Sequence, residues 1–148
     1  MLRVFTDTTV FFAAVYSNTG SARELIQLGT EGKVQIILSQ RVLTEMERNL
    51  EKKAPDQHST YQLLLAALAP EITEEPAKLV EQVETYVVPK DAPIVAAAIH
   101  AEVDFLVTYD RKHLLNHPEV SEKSGLNITT PDIVVQAIHD QQDSNGDH

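Results

Sequence analysis

Carboxylates recur at places in this chain where they could hold a divalent cation. Asp7 directly follows the β-prone run Leu2 to Thr6. Asp110 follows the run Phe105-Leu106-Val107-Thr108 by two residues, and Asp91 follows Tyr86-Val87-Val88 and opens a helix-forming stretch. A glutamate just after the run Val34 to Leu38 is a fourth candidate. Glu45 and Glu47 sit at opposite edges of one apolar helix face there, and periodicity does not choose between them. Carboxylates within a few Å repel one another, and some would take up protons. A hard divalent cation reverses that balance and keeps them ionised. Mg²⁺ or Mn²⁺ suits all-oxygen ligands and retains several of its waters. Such a site can activate water for attack on a phosphodiester and stabilise the leaving oxygen.

The elements that must position these residues are strands alternating with helices. The spacing predicts a strand over Leu2–Thr6, then a loop and a helix over Ala22–Leu28, capped by Ser21 and ended by Gly32. Val34–Leu38 is a β-branched strand. Ser39 caps a helix reaching about Lys53, with Val42, Leu43, Met46 and Leu50 on its apolar face. Pro55 breaks it. Two helices follow, over Gln57–Leu68 and over Glu75–Thr85 with Pro76 in its first turn. Tyr86–Val88 reads as a short strand and Asp91–Glu102 as a buried, nearly all-apolar helix. Phe105–Thr108 is a central strand, Asp110 opens a short helix containing Leu114 and Leu115, Asn127–Thr129 is a last strand, and Pro131 starts a helix to about His139. Residues 1–139 thus read as one domain and 140–148 as a disordered polar tail. This alternation predicts an α/β fold, a three-layer α/β/α sandwich around a mostly parallel sheet. Ligands bind such sheets beyond the carboxyl ends of the strands. Asp104, at the start of the strand that ends before Asp110, belongs at the opposite sheet edge, roughly 20 Å away.

Composition narrows the chemistry further. A chain of 148 residues fits one domain. Cysteine is absent, which excludes disulfides, thiolate metal sites and cysteine nucleophiles, and the six histidines lack zinc-ligand spacing. No apolar run approaches a membrane span and the N-terminus lacks signal-peptide design, so a cytoplasmic protein is expected. The five glycines form neither G-x-G-x-x-G nor a P-loop, and no Gly-x-Ser-x-Gly elbow is present. A phosphoryl-transfer domain using Asp7 as nucleophile would want a second aspartate where Thr9 stands. The net charge is −10, concentrated after Glu74, which is unfavourable for general nucleic-acid binding but compatible with an enzyme that meets phosphate through a metal.

Taken in order, these segments resemble the PIN-domain family of metal-dependent ribonucleases. Val4-Phe5-Thr6-Asp7-Thr8-Thr9-Val10-Phe11 looks like the family's first strand and aspartate. Leu38-Ser39-Gln40-Arg41-Val42-Leu43-Thr44-Glu45 looks like its second strand, helix start and glutamate. Asp91-Ala92-Pro93-Ile94-Val95-Ala96-Ala97-Ala98 and Asp104 to Leu115 carry the strongest likeness, and Ile128-Thr129-Thr130-Pro131 closes it. The resemblance selects Glu45 over Glu47. It implies Asp7, Glu45, Asp91 and Asp110 as catalytic, metal-binding carboxylates for Mg²⁺ or Mn²⁺, with Thr9, Thr108 and Ser39 as supporting hydroxyls. It further implies a single-stranded RNA substrate, a homodimer, and a place as the toxin of a toxin–antitoxin pair, with an antitoxin protein as partner. The family's opening Asp-Thr-Asn is Asp7-Thr8-Thr9 here, so a shorter hydroxyl replaces an amide. Arg111, Lys112 and Lys90 flank the site and are candidate phosphate contacts, as well as ordinary surface charges. A rival reading is a PIN-like interaction module that keeps the fold, and metal, without catalysis. Metal binding without nuclease activity would identify it.

Overall fold

The computed structural model describes residues 1–146. Five strands, β1 (Arg3–Thr6), β2 (Gln35–Ser39), β3 (Glu71–Thr73), β4 (Phe105–Val107) and β5 (Ile128–Thr129), form one sheet in the order β3-β2-β1-β4-β5. Every pairing is parallel, with Phe5 beside both Ile37 and Leu106. Parallel strands are covered on both faces, which is why Val4, Phe5, Ile36, Ile37, Leu38, Leu106 and Val107 form an unbroken apolar set, all buried.

Among the described residues eight α-helices cover the sheet: α1 (Thr8–Tyr16), α2 (Ser21–Thr30), α3 (Gln40–Lys53), α4 (His58–Leu68), α5 (Ala77–Val83), α6 (Ala92–His100), α7 (Pro118–Ser124) and α8 (Pro131–Gly146). Right-handed crossovers from β1 to β2 and from β2 to β3 run in one direction and put α1 to α4 on one face. The return from β3 across to β4 puts α5 and α6 on the other. The contacts agree: α1 packs on α2 and α3, α2 on α4 and α8, and α5 on α6. This is the three-layer sandwich the alternation predicts.

Several elements differ from the expectation. Tyr86–Val88 is turn rather than strand, because Tyr86 and Val87 both donate their amides back to Val83 and prolong the end of α5. Ser21 is the first residue of α2 and Gly20 its cap, without a side-chain bond. Three elements were not foreseen: α1, the short edge strand β3, and α7. Helix α1 has little polar contrast along it, and the β-branched Thr8, Thr9 and Val10 argue locally against a helix. Asp7 overrides that preference by accepting the Val10 amide at 3.1 Å, and Phe11, Ala14 and Val15 bury against the sheet. Helix α8 continues to Gly146, past the end expected at His139; the last two residues of the expected tail lie outside the described residues.

Gly29 marks a close approach of α2 to α4 and to β2. A Cβ built there would stand 2.6 Å from Leu68 Cδ1 and 2.8 Å from Ile36 Cγ1. Gly29→Ala is therefore expected to destabilise the fold by about 1–3 kcal/mol despite alanine's better helix propensity. Urea denaturation checks this, and a stabilised variant would contradict the packing.

Candidate metal centre

The strand order reverses at β1, whose successor β2 lies on one side and whose other neighbour β4 arrives by the long return crossover. A crevice forms at the carboxyl ends of strands at such a point. Asp7 follows β1 there, and Thr108, Tyr109 and Asp110 follow β4. Asp91 enters from the start of α6, and Glu45 from the second turn of α3. Asp7, Glu45, Asp91 and Asp110 line one cavity of about 680 Å³, together with Phe12, Arg48, Lys53, Lys90 and Tyr109 among others. Asp104 is at the far edge, where its carboxylate accepts the Arg3 amide at 2.7 Å.

Asp7 is almost fully buried and held by three donors. Its Oδ1 accepts from the Val10 amide and from the Thr9 hydroxyl at 2.6 Å, and its Oδ2 accepts from the Thr108 hydroxyl at 2.5 Å. Each hydroxyl is oriented in turn by an amide of the β4 loop: Tyr109 donates to Thr9 Oγ1 and Asp110 to Thr108 Oγ1, both at 3.0 Å. The shorter Thr9 side chain thus does reach the first aspartate. Burial nonetheless pushes the Asp7 carboxyl up to about 6, helped by the neighbouring Asp110 charge, while the hydrogen bonds from Thr108, Thr9 and Val10 pull it down.

Asp91 occupies the cap position of α6 but makes no capping hydrogen bond. Its Oδ2 is buried and without a hydrogen-bond partner among the described residues. The nearest donor is His113 Nδ1 at 3.3 Å, close enough to attract but not aligned to bond. Burial and then the Asp110 charge raise the Asp91 pKa, against Lys90 and His113. Asp110 does cap: its Oδ1 accepts the His113 amide at 3.0 Å, leaving Oδ2 3.4 Å from His113 Nδ1. A buried carboxylate oxygen without a donor, beside a second carboxylate, is costly unless a cation joins it. The donor set fits a divalent ion on that ground.

The PIN domain profile matches residues 3–112. The chain belongs to the PIN domain family. No curated protein matches it. Among solved structures, it is similar to a chain of VapBC2 from Rickettsia felis, crystallised bound to a DNA fragment from their promoter. The TM-score is 0.62 at 20% sequence identity, with 86% of this chain and 97% of that chain covered. At that identity the likeness is one of fold.

Three residues expected at the PIN domain's site do not line this cavity. Ser39 is buried and caps α3 by accepting the Val42 amide at 3.4 Å, and it does not line the cavity. Arg111 and Lys112 are exposed in the π-helical turn Arg111–Leu115 and do not line the cavity. The cations that do line it are Lys90, which was foreseen, and Arg48 and Lys53, which were not. Their signal is in the sequence: they lie three and eight residues after Glu45, on its side of α3. His113 was also missed, although it stands three residues after Asp110, one turn along. Glu45 itself accepts from the Thr8 hydroxyl at 2.9 Å and stands outside the group formed by Asp91, Asp110 and His113.

Proposed function

We propose that this PIN domain is a metal-dependent endoribonuclease cleaving phosphodiesters of single-stranded RNA, with Asp7, Glu45, Asp91 and Asp110 as the carboxylates that would hold Mg²⁺ or Mn²⁺. The observation that carries the reading is the set of four carboxylates at one crevice, one of them with a buried oxygen lacking a hydrogen bond. A bound divalent ion would keep these groups ionised, activate a water and neutralise charge at the scissile phosphate. The chain's own residues do the positioning. Thr9 and Thr108 fix both oxygens of Asp7, and Thr8 steadies Glu45. Arg48, Lys53 and Lys90 give an otherwise acidic protein a cationic lining where a phosphate backbone would lie. The exposed Tyr109 offers a ring on which an unpaired base would stack.

The experiment is cleavage of a mixed single-stranded RNA with Mg²⁺ or Mn²⁺, beside an EDTA control. Metal-dependent cleavage supports the nuclease. Metal binding without cleavage would move the assignment to the interaction module, a reading weakened by the reach of the Thr9 hydroxyl to Asp7. Arg48→Ala and Lys53→Ala are each expected to weaken RNA binding uniformly across sequences and to lower the salt slope by about one. Unchanged slopes would take these side chains out of the RNA path.

The fold likeness to a chain of a two-protein assembly supports a role as the toxin of a toxin–antitoxin pair, with an antitoxin protein as partner, in the cytoplasm. No helix among the described residues is long and apolar enough to cross a membrane. Helix α4 buries only Tyr61 and Leu68 and leaves Leu63 exposed, which supports a homodimer joined through this region. Sedimentation equilibrium of the isolated chain reads that assembly directly.

A further inference from the structure

We infer that His113 is a nitrogen ligand of the metal centre and tilts it from Mg²⁺ toward first-row transition ions such as Mn²⁺. The inference rests on the metal-centre reading above and adds a donor that the carboxylate set does not contain. The family match ends at Lys112, one residue short of it.

The geometry comes from the turn after β4. Leu115 donates its amide to the Asp110 carbonyl and Asn116 to the Arg111 carbonyl, the wide spacing of a π turn. Such turns recur at functional sites. This one folds the His113 ring back against the acid that precedes it. Nδ1 is then 3.3 Å from Asp91 Oδ2 and 3.4 Å from Asp110 Oδ2. One donor atom from each of the three residues falls within 4.8 Å of the others. Ligand atoms on adjacent octahedral positions, each about 2.1 Å from one ion, stand about 3.0 Å apart, so these separations suit three donors to a common ion. They are longer than a charge-assisted N–H···O bond of about 2.8 Å. The ring is not hydrogen-bonded to either oxygen, and Asp91 Oδ2 has no hydrogen-bond partner among the described residues. Asp110 Oδ1 is already engaged by the His113 amide, so Oδ2 is the oxygen left for an ion.

The choice of ion follows from the donor. Mg²⁺ takes oxygen ligands and gives up water reluctantly. Imidazole nitrogen suits the first-row transition ions. A His113 ligand therefore adds affinity for Mn²⁺ that Mg²⁺ does not share.

The test uses Mn²⁺ as a spectroscopic probe of the full chain. Pulsed electron paramagnetic resonance of the Mn²⁺ complex is expected to show ¹⁴N coupling that disappears in His113→Gln. Calorimetry is expected to show Mn²⁺ affinity falling at least about tenfold in that variant, the scale on which even outer-shell partners matter. Mg²⁺ affinity stays within about twofold. Far-UV circular dichroism verifies that the variant is folded, and His113→Ala serves if it is not. Mn²⁺ binding that Asp110→Asn weakens, but without ¹⁴N coupling, overturns the role of His113 and leaves the carboxylate centre standing. An equal loss of Mn²⁺ and Mg²⁺ affinity in the histidine variant also overturns it, because the ring then only orients the carboxylates. No metal binding in the unsubstituted chain overturns the centre and this inference together.

Discussion

Replacing Asp7 by asparagine is expected to lower metal-dependent RNA cleavage by about a hundredfold or more, the scale on which removal of one fixed charge-stabilising group acts in an active site. The reason is local. Asp7 is the most buried of the four carboxylates, and it is the one whose oxygens are both held by hydroxyls that the β4 loop orients. Asparagine fills the same space and keeps the Val10 cap, so α1 and the neighbouring strands stay in place. What changes is the charge and one acceptor oxygen. The comparison is made at saturating Mn²⁺ and again over a metal titration. Loss that persists at saturation marks Asp7 as part of the reacting centre, whereas activity recovered by more metal would reduce its role to affinity. Cleavage equal in the variant and the unsubstituted chain would remove the proposed site.

The same substitution should do the opposite to stability. The Asp7 carboxyl is pushed from its ordinary value of 3.8 to about 6 in the folded chain, chiefly by burial. A group raised in this way contributes stability that is fully present below 3.8 and is lost as pH rises through 6. Above that window the metal-free protein holds an ionised, desolvated carboxylate at a cost of up to about 3 kcal/mol. Asp7→Asn never develops that charge. It gives up roughly 1 kcal/mol of hydrogen bonding, because its amide nitrogen must face a hydroxyl that now donates to an oxygen. Relative to the variant, the unsubstituted chain should therefore lose up to about 3 kcal/mol between pH 3.8 and pH 7, measured by urea denaturation in EDTA. A divalent metal should then restore stability to the unsubstituted chain far more than to the variant. Parallel pH profiles for the two proteins would show that Asp7 is not a strained charge in the folded state.

Much of this was legible in the chain itself. Ser39 announces α3 because a hydroxyl ahead of an amphipathic run has a local job, satisfying an orphan amide. The apolar runs at β1, β2 and β4 and the nearly all-apolar α6 could only be interior, and strands alternating with helices could only be wound in parallel with cover on both faces. Asp7 and Asp110 then fall at the carboxyl edge by counting residues, and Asp104 falls at the other edge for the same reason, whereas the strand over Tyr86–Val88 expected to lead to Asp91 is absent among the described residues. Where local signals compete, the reading failed. Thr8, Thr9 and Val10 favour extended backbone, and only packing against the sheet makes them helical. Tyr86–Val88 has β-branched composition but continues a helical turn.

The linear order of residue types thus determined the layering of the fold, the edge at which the carboxylates gather and the exclusion of cysteine, serine-hydrolase and P-loop chemistry. These follow from propensity, capping and periodicity, which act within a few residues. The tertiary structure decided the rest. It decided that Asp91 stands at the cap position without a capping hydrogen bond, that Thr9 from α1 and Thr108 from the end of β4 grip Asp7, and that Arg48 and Lys53 line the cavity while Arg111 and Lys112 do not. It also decided that a histidine stands between two of the acids. Each of these depends on a turn's width or a helix's rotation, set by side chains far apart in the sequence and fixed only when the core closes.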